Sequence, residues 1–257
     1  MSLKEIKDHW NQKAQEFIQN LNNEMGNTLY DENLRRLEIN AIQKYLLPET
    51  NVLDVGCGNG FSTIQFAKNN DIHIDGMDYA DEMIKNARSL LDAYPSLTSR
   101  VNFFIGDILK PESITRKYDI IITERCLINL ESWENQKQAL IKIKDMLNDN
   151  GRFIMLEGFK DNLDKLNEVR KQLKLEPIKV VWHNLFFEKE KFESFIKNYF
   201  RIEAIDNYGS MYMLISRSLF HILFNNQFDR TIDYLATLLP NLGDYNYQQL
   251  YVLFKNE

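Results

Sequence analysis

The stretch NVLDVGCGNG, residues 51–60, decides the fold of this chain. A short apolar run leads to Asp54, and three glycines follow at alternate positions, Gly56, Gly58 and Gly60. Glycines allow a sharp turn and a close approach of the backbone to a ligand. The third glycine comes one residue too early for the dinucleotide pattern G-x-G-x-x-G. A carboxylate two residues before the first glycine would crowd a pyrophosphate, and it suits a ligand with a positively charged amino end.

Short apolar runs alternate with helix-period segments after this stretch. Strands are predicted at 51–56, 72–77, 101–105, 118–123, 152–157, 200–206 and 249–254, and helices at 61–68, 81–91, 133–147, 161–175 and 189–198. This alternation indicates parallel strands joined by right-handed crossovers, and continuous apolar runs favour strands covered on both faces. We therefore predict an α/β, Rossmann-like sheet with helices on both faces and its ligand at the C-terminal strand ends.

Two long connections interrupt this pattern in the second half of the chain. They cover about residues 159–187 and 208–246, and the second is far longer than a normal connection. We expect both to be helical insertions that form a cap over the ligand face. Residues 1–47 are expected to form a helical N-terminal flank, and residues 48–257 the main domain.

Composition and charge exclude several classes of protein. The formal net charge is -6, whereas a non-specific nucleic-acid binder or a polybasic membrane-surface protein carries a basic excess. The two cysteines are isolated and suit reduced thiols, and no zinc-type cluster is present. The polar N-terminus shows no secretory signal, and the most apolar stretch, 211–224, is too short to span a bilayer. We expect a cytoplasmic protein with a small-molecule partner, no metal, no nucleic-acid or membrane partner, and we consider a homodimer.

Two further acidic positions complete a candidate ligand pocket. Asp78 follows the second predicted strand, where a carboxylate can accept hydrogen bonds from both hydroxyls of a ribose. Gly106, Asp107 and Ile108 follow the third strand, where the acid can accept from an adenine amino group while the isoleucine packs on the ring. With Asp54, these positions describe a pocket for an adenosine that carries an amino-acid tail and no phosphates.

The motifs LDVGCGNG, GMDYADEMIKNAR, GDI and YDIIITERCLINL resemble, in order and spacing, those of class I S-adenosylmethionine-dependent methyltransferases. The resemblance covers about residues 50–157. It implies a seven-stranded sheet with an antiparallel last strand, and S-adenosylmethionine as the cofactor. It places Asp54 and the glycine loop at the methionine end, Asp78 at the ribose and Met83 near the adenine. The residues expected to bind the cofactor are Trp10, Arg35, Asp54, Gly56, Cys57, Gly58, Gly60, Asp78, Tyr79, Met83, Gly106, Asp107, Ile108 and Glu124.

Features outside that core are similar to a narrower bacterial subgroup, whose members are encoded among surface-polysaccharide genes. They include His9-Trp10-Asn11, Asn33-Leu34-Arg35 and Trp182-His183-Asn184. Members of that subgroup modify sugars or small capsule substituents. This similarity suggests O-methylation of a sugar-like hydroxyl or a capsule precursor.

Methyl transfer is an in-line displacement, so the protein must chiefly position its substrates and exclude water. A hydroxyl acceptor must also lose a proton, which a general base assists. His183, in the first insertion, is the first candidate for this base, and Glu157, at the end of the fifth strand, is the second. A structural imidazole that holds the insertion is the alternative for His183, and His9 is expected to be exposed. The residues expected to contact the acceptor are Arg125, Asn129, Asn184, Tyr208, Tyr212 and Arg217.

Other activities remain open at this point. Enzymes of this fold that methylate nucleic-acid bases commonly carry an Asn-Pro-Pro-Tyr-like turn after the fourth strand, and here the sequence reads Thr123-Glu124-Arg125-Cys126. N-methylation of a small amine is the alternative among methyltransferases. Outside them, a dinucleotide-binding oxidoreductase is disfavoured by Asp54 and by the G-x-G-x-G spacing.

Overall fold

A seven-stranded sheet forms the centre of the computed structural model, which describes residues 2–18, 31–111, 114–223 and 230–256. The strands are β1 (Thr50–Val55), β2 (Ile72–Asp78), β3 (Val101–Ile105), β4 (Tyr118–Glu124), β5 (Leu147–Gly158), β6 (Phe200–Asp206) and β7 (Gln248–Lys255). Their order is β3-β2-β1-β4-β5-β7-β6, and β7 runs antiparallel to both of its neighbours. The predicted fold is confirmed, including the antiparallel last strand.

Helices surround this sheet. They are α1 (Leu3–Ile18), α2 (Glu32–Gln43), α3 (Phe61–Asn69), α4 (Asp81–Asp92), α5 (Trp133–Met146), α6 (Lys160–Gln172), α7 (Lys189–Ile196), α8 (Ser210–Leu214), α9 (Phe220–Leu223) and α10 (Arg230–Ala236). A π-helical turn over Ile215–Leu219 joins α8 to α9. None of the helices within the described ranges combines the length and the apolarity that a membrane crossing needs.

Both faces of the sheet are buried, as the continuous apolar strands predict. Val52 belongs to a core cluster shared with α2, α3 and α4, whereas its neighbour Leu53 belongs to a cluster shared with α5 and α7. In β4, Ile120 and Ile122 join the first cluster and Ile121 joins the second. Successive strand residues face opposite sides of a sheet, so a run of isoleucines fits only a strand covered twice. Burying each such side chain contributes about 1.5–3 kcal/mol.

The boundary between α5 and β5 differs from the prediction. The helix ends at Met146 and β5 already begins at Leu147, five residues before the predicted start at 152. The turn signal at Asn150 is real, because this residue has a φ of 63°. The turn at Asn150 lies within β5 and not before it, because Leu147 is fully buried and already pairs with Tyr118 of β4.

The two predicted insertions have different structures. The first contains α6, which ends at Gln172, three residues before the predicted end, and an irregular segment then leads to α7. Lys174 has a φ of 58° and leaves the helical path. The second contains α8, α9 and α10, and its residues 224–229 lie outside the described part of the chain.

Helix α1 lies against α4. Lys7 forms an ion pair with Asp81 at 3.0 Å, and the Asn86 Nδ2 donates to the carbonyl oxygen of Ala14 at 2.9 Å. Because α4 starts directly after β2, this contact brings the N-terminal helix to the C-terminal edge of the sheet. The division of the chain at residue 47 stays a prediction.

Candidate active site

A cavity of about 440 Å³ opens at the C-terminal ends of β1, β2 and β4, within the range typical of small-molecule sites. We call its inner part the strand-end side. It is lined by Arg35, Asp54, Gly56, Cys57, Gly58, Ser62, Asp78, Tyr79, Met83, Glu124, Arg125, Cys126, Ile128 and Asn129. We call the rest of the lining the outer wall. It is lined by His9, Trp10, Lys13, Leu163, Ile178, Lys179, Val180, Val181, His183, Asn184, Phe186, Tyr247 and Gln248.

The glycine loop forms a floor of the strand-end side. Gly56 and Gly58 line the cavity with φ of 77° and 54°, in the left-handed region that favours glycine. The amide of Gly56 donates to the carbonyl oxygen of Met77 at 2.7 Å, which ties the loop to β2. Gly60 does not line the cavity. A Cβ there would lie 2.6 Å from the ring of Phe103, so this glycine allows α3 to pack closely against β3.

Asp54 presents a buried carboxylate to the same side of the cavity. Its Oδ2 accepts a hydrogen bond from the Thr63 hydroxyl at 2.5 Å, and burial raises the pKa of Asp54 to about 7. A buried carboxylate of this kind is stabilised when a positive group approaches it. The site therefore fits the ammonium end of an amino-acid tail.

Asp78 connects the loop after β1 with the start of α4. Its Oδ2 accepts from the amide of Gly58 at 2.9 Å, and its Oδ1 accepts from the amide of Ala80 at 2.8 Å. Burial raises the pKa of Asp78 to about 6. Each carboxylate oxygen can accept more than one hydrogen bond, so both can still receive a ligand hydroxyl. This geometry fits the two hydroxyls of a ribose.

The residues predicted after β3 do not line the cavity. The Asp107 Oδ1 accepts from the amide of Leu109 at 2.9 Å, and Ile108 is buried in the core. A Cβ on Gly106 would lie 2.5 Å from the Met77 sulfur, so this glycine serves packing. Their proposed contact with an adenine stays a prediction. Tyr79 and Met83 do line the cavity.

Four charged side chains form a buried cluster at one end of the strand-end side. The Arg35 guanidinium lies 3.7 Å from the Glu124 carboxylate, and Arg125 lies 3.5 Å from both Glu124 and Glu38. Burial opposes the charge of all four groups. Burial raises the pKa of Glu38, whereas Glu38 and Glu124 raise the pKa of Arg125 against the effect of its burial. Sequence reasoning missed Glu38, although it lies three positions after Arg35 and thus on the same face of α2.

Glu157 does not line the cavity. Its carboxylate is fully buried and accepts hydrogen bonds from the amides of Cys126, Leu127 and Ile128 at 3.1, 2.9 and 3.2 Å. Burial raises the pKa of Glu157 to about 7. These bonds hold the turn after β4, whose Arg125 has a φ of 56°. The prediction that Glu157 can serve as the base gains no support from this placement, because its oxygens face the turn.

An aromatic cluster stands at the outer wall. The ring centroid of His183 lies 4.8 Å from that of His9, 5.4 Å from that of Trp10 and 5.3 Å from that of Trp182. Burial, and then the nearby His9, lower the pKa of His183 to about 4. Its Nδ1 is buried and has no hydrogen-bond partner in the described part of the chain. His9, which we expected to be exposed, belongs to the cavity lining.

Trp10 and Asn129 join the outer wall to the turn after β4. The Trp10 Nε1 donates to the Asn129 Oδ1 at 3.2 Å, and the Asn129 Nδ2 donates to the carbonyl oxygen of Arg125 at 2.7 Å. The predicted acceptor residues Arg125, Asn129 and Asn184 all line the cavity. The structure thus brings these three together with His183.

The remaining predicted acceptor residues lie elsewhere. Tyr208 is buried in the core, and the Tyr212 hydroxyl bonds to Asp31 at 2.6 Å and to Asp233 at 2.8 Å. Arg217 forms an ion pair with Asp31. These contacts hold the second insertion to α2, so the placement of Tyr208, Tyr212 and Arg217 does not support acceptor binding. Lining residues that sequence reasoning did not single out for the site are His9, Lys13, Ser62, Cys126, Ile128, Leu163, Ile178, Lys179, Val180, Val181, Phe186, Tyr247 and Gln248.

Comparison with known proteins finds similarity to methyltransferases. The family model described as a methyltransferase domain matches residues 46–205. Ajmaline N-methyltransferase of Rauvolfia serpentina is 31% identical over 93 residues, which cover 36% of this chain and 32% of that protein. EEF1A lysine methyltransferase 2 of Mus musculus is 27% identical over 130 residues, which cover 50% and 51%.

A solved structure shares this fold. Magnesium protoporphyrin IX methyltransferase from Synechocystis PCC 6803, with bound SAH, superposes with a TM-score of 0.66 and 14% identity, covering 99% of this chain and 100% of that one. The matched parts of the chain span 32% and 51% of the length of the two curated relatives named above. The family match covers more than half of the chain, in the region that builds the glycine loop and the strand-end carboxylates. This chain belongs to the methyltransferase domain family.

Proposed function

We propose that this protein transfers the methyl group of S-adenosylmethionine to a hydroxyl of a small acceptor. The observation that carries the proposal is the arrangement of Asp54, Gly58 and Asp78 around one cavity. It offers a buried carboxylate for an ammonium, a close backbone approach and a second carboxylate for ribose hydroxyls. Family membership and a structural neighbour described with bound SAH support the same cofactor.

The chain's own residues hold the cofactor at the strand-end side. S-adenosylmethionine supplies an electrophilic methyl group on a sulfonium. Asp54 binds the amino end and Asp78 binds the ribose, while the Arg35 guanidinium meets the carboxylate end. A buried charged site of this kind is organised before the ligand arrives, so binding requires little rearrangement.

His183 is proposed as the group that receives the acceptor's proton. Its lowered pKa keeps the imidazole neutral above a pH of about 4, and its Nδ1 has no competing partner in the described residues. A neutral imidazole can accept a hydrogen bond from a hydroxyl and take its proton as the methyl group moves. Glu157 is set aside for this role because its oxygens are used by the turn after β4.

The names of the relatives do not select the acceptor. One of them is named as an N-methyltransferase and another as a lysine methyltransferase. A third relative, an O-methyltransferase of Aspergillus nomiae, is 26% identical over 110 residues. None of these names refers to a polysaccharide. The sugar-like acceptor suggested by the weaker resemblance therefore gains no support, and N-methylation of a small amine remains the second hypothesis.

The experiment is calorimetric titration of the protein with S-adenosylhomocysteine and, separately, with NAD. We expect saturable binding of S-adenosylhomocysteine and no measurable binding of NAD at the same concentrations. The matched control is Asp75→Asn, which removes a carboxylate of β2 that does not line the cavity and that accepts from the Tyr118 hydroxyl at 2.7 Å. This variant should bind S-adenosylhomocysteine as the wild type does. Preferential binding of NAD would overturn the proposal.

A further inference from the structure

We propose that the acceptor is a small amphipathic anion, namely an aromatic hydroxy compound that carries a carboxylate or another anionic group. This inference rests on the proposed function and names the substrate class of the same cavity. It follows from three features of the outer wall: an apolar surface, the placement of the charged side chains, and an apolar strip that continues to the protein surface.

Most of the outer wall is apolar. Leu163, Ile178, Val180, Val181 and Phe186 line it, and the ring of Phe186 stacks on Tyr247 with centroids 5.7 Å apart and an interplanar angle of 27°. A sugar presents hydroxyls around its whole ring and loses free energy wherever these are buried without partners. An aromatic ring buries favourably against such a surface.

The carboxylates of the lining lie in one part of the cavity, where Arg35 and Arg125 accompany them. The lining carboxylates within the described residues, Asp54, Asp78 and Glu124, all lie on the strand-end side. The outer wall instead presents Lys13 from α1 and Lys179 from the segment between α6 and α7. Lys13 also pairs with Glu16 at 2.8 Å, but Glu16 does not line the cavity. A wall with cations and no carboxylate attracts an anion and disfavours a second cation.

The apolar lining continues outward beyond the cavity. Val180 is 39% exposed, Val181 50% and Trp182 57%, and these three residues are consecutive in the chain. Contiguous exposed apolar surface beside a cavity commonly marks a binding surface. Here it extends the apolar surface beside the cavity, with Lys179 at its edge.

The imidazole at this wall also fits an aromatic hydroxyl. Because burial and His9 lower the pKa of His183, it is a weak base, and a weak base requires a hydroxyl that gives up its proton readily. A phenolic hydroxyl has a pKa near 10 in water. Such a group therefore suits His183 better than the less acidic hydroxyl of a sugar.

The test compares three probes on protein saturated with S-adenosylhomocysteine. They are 4-hydroxyphenylacetate, its neutral amide 4-hydroxyphenylacetamide, and methyl glucopyranoside, each titrated by calorimetry. We expect the anion to bind about fivefold tighter than the amide, and the glycoside to bind most weakly. The advantage of the anion should shrink as salt is raised, because Lys179 is exposed and screened by ions.

Variants of the two lysines locate the effect. Lys13→Gln and Lys179→Gln should each reduce the preference for the anion over the amide, while affinity for S-adenosylhomocysteine stays unchanged. Lys165→Gln is the matched control, because Lys165 lies on α6 but pairs with Asp244 outside the cavity at 2.5 Å.

Equal binding of anion and amide, tighter binding of the glycoside, or no binding of any probe would overturn this inference. Those results leave the proposed function standing as long as S-adenosylhomocysteine itself binds. Loss of S-adenosylhomocysteine binding in the wild-type protein would instead remove the proposed function.

Discussion

The strand-end side and the outer wall of the cavity are encoded in the chain in different ways. The carboxylates and glycines that face the proposed cofactor lie mostly within residues 54–78, where one strand, one loop and the next strand follow directly. The outer wall combines residues 9–13, 163–186 and 247–248. A local motif can thus reveal a cofactor, whereas the acceptor depends on segments that meet only after folding.

Gly58→Val should give the largest effect and tests whether the loop touches the cofactor. A β-branched residue at a φ of 54° is strained, and its side chain would enter the cavity. We expect loss of measurable S-adenosylhomocysteine binding by calorimetry, with the circular dichroism of the sheet retained. Gly243→Val is the control, because Gly243 has a φ of 75° but lies outside the cavity lining. Normal binding by the Gly58 variant would separate the loop from the cofactor.

His183→Ala should lower turnover while leaving cofactor affinity unchanged, because His183 belongs to the outer wall. Loss of a positioned base costs about 10²–10⁴-fold in rate. Since the pKa of His183 is lowered to about 4, the wild-type rate should fall only as the pH drops through that value. His73→Ala, at an exposed position on β2, is the control. Unchanged turnover would exclude the base, and lost cofactor affinity would favour a structural imidazole.

Asp78→Ala, in contrast to His183→Ala, should chiefly lower the affinity for the cofactor. Hydrogen bonds to a charged group contribute about 1.5–3 kcal/mol each, so losing those to the ribose should weaken binding at least about tenfold. The variant also frees the amide of Gly58, which strengthens the effect. Affinity for S-adenosylhomocysteine is the readout. If it matches that of wild type, Asp78 does not face the ligand.

The sequence made the strand-end side accessible to prediction for a physical reason. Asp54 and Asp78 lie at the C-terminal ends of β1 and β2, and Gly58 lies in the loop after β1, so their positions depend on local order alone. Tyr212 and Arg217 are polar side chains of the kinds that bind acceptors. In the structure, however, Asp31 at the N-cap of α2 binds both, and Asp233 of α10 also binds Tyr212. Nothing in the local pattern distinguishes these two outcomes, because the partners lie far away in the sequence.

The role of Glu157 shows the same limit within the sheet. Its position at the end of β5 indicates a side chain near the acceptor, yet three amides of the turn after β4 use its oxygens. Similarly, the local turn at Asn150 led to a predicted start of β5 that is too late. The strand begins earlier, at Leu147, whose side chain is fully buried.

Glu157→Gln should give a smaller effect and tests whether this turn links the two parts of the cavity. The amide keeps the shape but replaces one acceptor oxygen with a donor, which leaves a buried N–H unpaired at about 1–3 kcal/mol. We expect a lower free energy of unfolding in urea and reduced turnover, with little change in S-adenosylhomocysteine affinity. A selective loss of turnover with wild-type stability would return Glu157 to the list of catalytic candidates.

The pH dependence of stability that Asp54 contributes has a definite sign. Burial raises the pKa of Asp54 to about 7, above its value in the unfolded chain, so the folded protein retains that proton more strongly. The contribution of this group is therefore full below a pH of about 4 and declines as the pH rises toward 7. Asp54→Asn should flatten that decline in the ligand-free protein, as measured by urea unfolding at several pH values. An identical slope in the variant would contradict the assignment of a buried Asp54 carboxylate with a raised pKa.

The crystal structure of the protein with S-adenosylhomocysteine is the measurement that tests the division of the cavity most directly. We expect the ribose hydroxyls within hydrogen-bond distance of Asp78 and the amino group beside Asp54. We also expect Phe186, Lys179 and His183 to remain accessible on the outer wall for an acceptor. A ligand that lies against the outer wall and leaves Asp54 and Asp78 without contact would exclude cofactor binding at the strand-end side.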